Sequence, residues 1–202
     1  MAVKNIIFDL GGVIIDLFPD RVVNMLKEKF PGRNFTLLYQ HPLFTDLETG
    51  RIAPSEFRNQ VRVFFQFHIS DEEIDKCLNA MLGEIPPPRI EVLKKARQRY
   101  TTVLLSNTNP IHLAAIESYV TETYNIPRLD HLFYRTYYSH LVGLRKPDVR
   151  LFIKVLKENN FHPEETLFLD DTDANLSAAG ILGIQTQKVT PETPLTDILL
   201  NC

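Results

Sequence analysis

The chain has 202 residues, 44% apolar and 23% charged, which suits one large domain or a core with a smaller insertion. Its net charge of −3 offers no basic field for nucleic acid, although a few local cations suffice for a small anionic substrate. Only Cys77 and Cys202 occur, which speaks against a disulfide framework, and no apolar run reaches the roughly 20 residues of a membrane span; a cytoplasmic protein is expected.

The first element lies in Lys4-Asn5-Ile6-Ile7-Phe8-Asp9-Leu10-Gly11-Gly12-Val13-Ile14-Ile15-Asp16, where a short apolar run rich in branched residues drops onto Asp9 and then onto a Gly-Gly pair. Such a run bounded by a turn signal predicts a strand buried on both faces, with Asp9 at its carboxyl end, where open α/β sheets bind ligands. Asp9 and Asp16 interrupt the apolar stretch too soon for a signal peptide. Helical periodicity follows. Asp20 is expected to cap a helix carrying Val22, Leu26 and Phe30, ended by Pro31-Gly32. A weak turn over Leu37 to Gln40 is cut by His41-Pro42, and Leu43, Phe44 and Leu47 predict a short helix closing at Gly50. Pro54 to Gln66 reads as a helix with Phe57, Val61, Phe64 and Phe65 on one face, which makes the phenylalanines local core. Ser70 and Glu73 form a capping box for a helix bearing Ile74, Leu78 and Met81, and Gly83 to Pro88 reads as a stiff linker.

From Arg89 the pattern alternates. Helices are predicted over Arg89 to Arg99, from Asn109-Pro110 to Val120, from Pro147 through Leu151, Val155 and Leu156, and over Asp173 to Leu182. Strands are predicted over Thr101 to Leu105, Phe133 to Tyr138, Thr166 to Leu169 and Ile184 to Val189. Alternation at this spacing implies βαβ units and a doubly wound parallel sheet. Asp9 and Ser106 are 97 positions apart, against about 30 for one βαβ unit. The surplus is the helical block 18–83, expected to stand over the carboxyl edge of the sheet as a cap on a core of residues 1–17 and 84–202.

Four polar sites fall at strand ends: Asp9; Ser106-Asn107-Thr108; Lys146; and Asp170-Asp171 with Asn175 beyond them. Singly, Ser106 to Asn109 reads as a helix cap, Lys146 as a solvated lysine and Asp170-Asp171 as first-turn acids. In this order they resemble the haloacid dehalogenase superfamily over the whole chain. Phe8-Asp9-Leu10-Gly11-Gly12-Val13 looks like its first motif, Leu105-Ser106-Asn107 its second, Arg145-Lys146-Pro147 its third, and Phe168-Leu169-Asp170-Asp171 with Asn175 its fourth. The branch most similar is that of bacterial sugar-phosphate phosphatases with an Asp-Leu-Gly first motif, glucose-1-phosphate phosphatases among them.

The resemblance implies a Mg²⁺ site with Asp9 and Asp171 as direct ligands, Asp170 acting through water, the Gly11 carbonyl as a fourth group and Asn175 behind them. It implies Asp9 as nucleophile on phosphorus, with an aspartyl-phosphate hydrolysed in a second step. Ser106, Asn107 and Lys146 would then hold the phosphoryl group of a small phosphorylated metabolite. A carboxylate needs no base to activate it, and a cation is called for in any case where three carboxylates share one edge. The sequence departs from the family at Gly11, where its phosphatases usually carry a second aspartate that protonates the leaving oxygen. Such acids contribute about 10²–10⁴-fold in rate. A substrate with an acidic leaving group, such as a sugar 1-phosphate, would manage without one. Otherwise the cap supplies the proton, with Glu48 and His41 as candidates and Arg51 as a contact for a distal substrate group. Two rivals stay open at this point: a 2-haloacid dehalogenase using Asp9 on carbon, disfavoured by the Asp170-Asp171 pair, and a non-catalytic binding protein on the same scaffold, kept alive by Gly11. Oligomeric state is not legible.

Overall fold

A computed structural model describes residues 2–32, 35, 41–66 and 68–200. The turn expected over Leu37 to Gln40 and Cys202 lie outside these described residues. Strands β1 (Asn5–Phe8), β2 (Thr101–Ser106), β3 (Arg135–Tyr138), β4 (Thr166–Asp170) and β5 (Gln185–Lys188) form one sheet in the order β3-β2-β1-β4-β5. Every pairing is parallel, and Phe8 of the central strand lies opposite Leu104 on one side and Leu169 on the other. The doubly wound α/β sheet is therefore present, with β1 between the two strands that carry the second and fourth polar sites.

Between β1 and β2 the chain forms α1 (Pro19–Lys29), α2 (Pro42–Glu48), α3 (Pro54–Phe65) and α4 (Asp71–Asn79), and α5 (Pro87–Arg99) brings it back to the sheet. Beyond β2 come α6 (Pro110–Tyr124), α7 (Ser139–Val142), α8 (Val149–Asn159), α9 (Asp173–Gly180) and α10 (Leu195–Leu200). Alternation along β1 divides the core. Ile6 and Phe8 pack with Ile90 and Leu93 of α5 and Ile116 and Val120 of α6, while Ile7 packs with Leu151 and Val155 of α8 and Ala178 and Ala179 of α9. A separate apolar cluster gathers Val22, Leu26, Phe44, Leu47, Phe57, Val61, Ile74 and Leu78 from α1 to α4, together with Ile111 of α6. No helix among the described residues is long and apolar enough to cross a membrane.

Several local expectations change. Asp20 does not cap α1: Phe18 holds that position with no side-chain bond, Pro19 opens the helix and Asp20 sits in its first turn, a favourable place for an acid. Helix α8 starts at Val149 rather than Pro147, because the Asp148 carboxylate caps it by accepting from the Arg150 amide; Pro147 is reached through a cis bond from Lys146. Pro87 and Pro88 belong to the first turn of α5, so the linker is shorter than expected. β3 begins at Arg135, since Phe133 closes a 3₁₀ turn and packs against Phe8. Phe64 is 56% exposed and rests on the His41 ring, outside the cluster that holds Phe57. The Ser70–Glu73 capping box is present with both of its bonds.

Candidate active site

Parallel strands place their carboxyl ends side by side, and the buried polar groups collect there. Asp9 follows β1 and its amide donates to Leu169 O, which continues the β1–β4 ladder to the site. Lys146, on the loop after α7, is 1% exposed; its Nζ lies 2.6 Å from Asp9 Oδ1 and 2.7 Å from Asp170 Oδ2. A buried ammonium needs such partners. The Leu10 amide also donates to Asp9 Oδ1 at 2.7 Å, so Oδ2 is the oxygen of Asp9 without a partner among the described residues. Burial pushes the Asp9 carboxyl up to about 7, helped by Asp170, while Lys146 and the Leu10 amide pull it back.

Asp170 is fully enclosed. Besides Lys146, it accepts from Asn175 Nδ2 at 3.0 and 3.1 Å and from the Thr172 amide at 2.8 Å. Asn175 thus fixes Asp170, as expected for a residue behind the site. Asp171 is less enclosed than the other two and accepts from Thr172 Oγ1 at 3.1 Å. Its other oxygen faces Gly12, whose φ is +72° and where a Cβ would stand 2.2 Å from Asp171 Oδ2. The positive φ favours glycine there, and any side chain would also displace the Asp171 carboxylate.

One oxygen from each of Asp9, Asp170 and Asp171 lies within 4.8 Å of the others. Three carboxylates against one ammonium leave surplus negative charge, and the donors are all hard oxygens. The residues present therefore fit a divalent cation such as Mg²⁺. Both Asp170 oxygens already have protein donors, which leaves the Asp171 carboxylate as the more open ligand, with the Asp9 carboxylate beside it. The Gly11 carbonyl accepts no hydrogen bond among the described residues.

The second site divides its labour. Ser106 is 3% exposed, and its hydroxyl makes no hydrogen bond among the described residues. Asn107, expected to touch substrate, uses its side chain otherwise: Nδ2 donates to Lys146 O at 2.9 Å and Oδ1 accepts from Lys146 N at 2.8 Å. Its amide group clamps the backbone that delivers the lysine. Thr108 is held in turn by Ser139, whose Oγ accepts from Thr108 N and donates to Thr108 O, both at 2.9 Å.

Next to the turn after Asp9, Leu10, Gly11, Ser106, Asn107 and His112 from the sheet side and Phe44, Glu48 and Met81 from the helical block line a cavity. Glu48 reaches it as expected. Burial pushes its carboxyl up, and Arg145, 3.2 Å away, pulls it down. Arg145 also donates to Thr45 Oγ1 at 3.1 Å, joining the loop of the third site to α2. The other two candidates from the block do not line the cavity. Arg51 is exposed and pairs with Asp46 at 3.1 Å, and the His41 Nδ1 caps α2 by accepting from the Leu43 amide. A short polar side chain can cap a helix from its first residues, and the sequence rule for caps does not count histidine, so this use of His41 left no signal.

One cavity residue escaped the sequence reading. His112, in the first turn of α6, places Nδ1 2.9 Å from Asn79 Oδ1 at the end of α4. The signal was present in Asn109: an asparagine cap just past a strand end puts the following first turn over the same edge.

A sequence profile of haloacid dehalogenase-like hydrolases matches residues 3–183. The chain is 30% identical over 187 residues to D-ribitol-5-phosphate phosphatase of Bacteroides thetaiotaomicron, covering 91% of this chain and 90% of that protein. Among solved structures it resembles the HAD family enzyme BT-2542 of Bacteroides thetaiotaomicron in complex with magnesium and inorganic phosphate, with 32% identity, 94% and 95% coverage of the two chains and a TM-score of 0.83. A HAD-like family hydrolase of Porphyromonas gingivalis is similar at 31% identity, 93% and 91% coverage and a TM-score of 0.81. With the four polar sites gathered on one sheet edge and a family profile spanning nearly all of its length, the chain belongs to the haloacid dehalogenase-like hydrolases.

Proposed function

We propose that the protein is a Mg²⁺-dependent phosphatase of small sugar or polyol phosphates, sugar 1-phosphates included, working through an aspartyl-phosphate on Asp9. The observation that carries this is the partner-free Asp9 Oδ2 in a cluster of three carboxylates and one buried lysine, next to a cavity lined by the free Ser106 hydroxyl. Asp9 Oδ2 bonds to phosphorus as the bond to the leaving oxygen breaks. A water then attacks the same phosphorus and releases Asp9 and inorganic phosphate. Ser106 Oγ donates to a phosphoryl oxygen, and Lys146 offsets negative charge on the transferring group. Asp9, Asp171 and the Gly11 carbonyl would hold Mg²⁺, with Asp170 behind; when bound, the ion neutralises charge and favours the ionised Asp9. The block 18–83 acts as the cap that closes the cavity and selects substrate, and we place the protein in the cytoplasm.

Gly11 supplies no proton to the leaving oxygen. Glu48 is suited to do so, since it lines the cavity and burial raises its carboxyl. Without it the substrate must carry an acidic leaving group. A series of phosphate esters of graded leaving-group pKa separates the two: a flat dependence in the native protein that steepens in Glu48→Gln assigns the proton to Glu48.

The parent reading is tested by screening phosphorylated metabolites with and without Mg²⁺, using native protein and Asp9→Asn. Turnover that requires both Mg²⁺ and Asp9 supports it. No Mg²⁺-dependent turnover on any activated phosphate, in folded protein, sinks it in favour of a binding role. Chloride release from a 2-chloroacid in EDTA would instead revive dehalogenation.

A further inference from the structure

We propose that His112 is a specificity-determining residue that accepts a hydrogen bond from a hydroxyl on the substrate's carbon chain, oriented for this by Asn79. The inference deepens the phosphatase reading and rests on it.

His112 is built to be rigid. The Asn109 carbonyl oxygen of the side chain accepts from the backbone amides of Ile111 and His112, which fixes the first turn of α6. Across the cleft, Asn79 ends α4 in the helical block and meets the ring at 2.9 Å. Facing an amide oxygen, Nδ1 carries the proton, so Nε2 keeps its lone pair. Nε2 makes no hydrogen bond among the described residues, and the ring lines the same cavity as Ser106.

The ring stays neutral in use. Burial pushes it down to about 4, with Asp75 of α4 acting the other way. A neutral ring with its proton committed to Asn79 cannot protonate a leaving oxygen, so His112 does not replace the acid absent at Gly11. What it offers is an acceptor on a cavity wall that also carries the apolar Ile116, Met81 and Phe44. In such a wall a ligand lacking the hydroxyl leaves the acceptor unpaired, which discriminates more strongly than an apolar contact does. Because Asn79 and His112 belong to the helical block and the sheet unit respectively, the acceptor is oriented only while the two meet.

The test measures kcat and KM for a straight-chain polyol phosphate and for the alkyl phosphate of equal length, in native protein, His112→Leu and His112→Gln. Native protein should favour the polyol phosphate at least tenfold in kcat/KM. His112→Leu, which keeps bulk and loses the acceptor, should collapse that ratio mainly through KM, and His112→Gln should restore part of it through its amide oxygen. An unchanged ratio in His112→Leu overturns the proposal, as does an equal loss on both substrates, which would mean the ring only packs. Should native protein hydrolyse neither compound nor any activated phosphate, the phosphatase reading itself fails and the inference falls with it.

Discussion

At the scale of single residues, Lys146 holds two buried carboxylates together. With Lys146→Met, Asp9 and Asp170 are left facing each other without a counter-charge, and removal of one member of a buried ion pair costs about 3–5 kcal/mol. In metal-free buffer we expect a loss of stability of about 3–5 kcal/mol, read as a lower Tm. Mg²⁺ should raise the Tm of this variant by more than that of native protein, because the ion then supplies the missing positive charge. Equal shifts in both would show that the acidic cluster does not bind the ion. His112 predicts a pH effect whose sign is opposite to that of Asp9. In the unfolded chain His112 takes up a proton near 6.5, whereas folded it resists until about 4, so protonation favours unfolding and stability is lost as pH falls through this window. Asp9, raised to about 7, is protonated in the folded state first and gains stability over the same range. The two are separated by difference: from pH 7 to pH 5 the Tm of native protein should fall relative to that of His112→Gln. Parallel curves would contradict the buried neutral ring.

At the scale of elements, the turn after α2 shows how closely the helical block meets the sheet unit. Gly50 has φ +67°, and a Cβ there would lie 2.2 Å from the carbonyl oxygen of His140 in α7. Gly50→Ala is strained by its backbone and by a backbone atom that cannot move aside, so we expect a loss of about 1–2 kcal/mol in stability. Because this turn carries Glu48, the proposed proton donor, kcat should fall as well; steady-state kinetics beside thermal melts would check both. The Ser70–Glu73 box gives a contrast within the same block. Ser70→Ala should cost about 1 kcal/mol and leave turnover as it was, since α4 loses a cap far from the cavity lining. These elements also show why local reading works unevenly. A capping box uses side chains three residues apart and is written in the sequence, whereas the left-handed Gly50 matters because of an oxygen 90 positions away.

At the scale of the whole molecule, Arg145 joins the two units from the loop that also delivers Lys146. It reaches Thr45 and Glu48 on α2, yet its Nε and Glu48 Oε2 are both buried without a hydrogen-bond partner among the described residues. A pairing left incomplete in this way holds the units together less tightly than full satisfaction would. Arg145→Ala should therefore speed amide hydrogen exchange in α2 relative to α5 and α6; unchanged exchange would remove Arg145 from the contact.

The spatial order of the strands was not legible in the chain itself, whereas the parallel doubly wound sheet, the convergence of Asp9, Ser106, Lys146 and Asp170 on one edge, and the helical block between β1 and β2 were. Each follows from local apolar period, from glycine and proline punctuation, and from the rule that parallel strands line up their carboxyl ends. Partner choice was not legible, because it depends on groups brought together from distant positions. Nothing near Asn107 announces that its amide clamps Lys146, and nothing near His112 that Asn79 fixes its ring. Side chains of one type serve as ligand, clamp or surface according to what stands opposite them, and that is decided only when segments distant in the chain pack together.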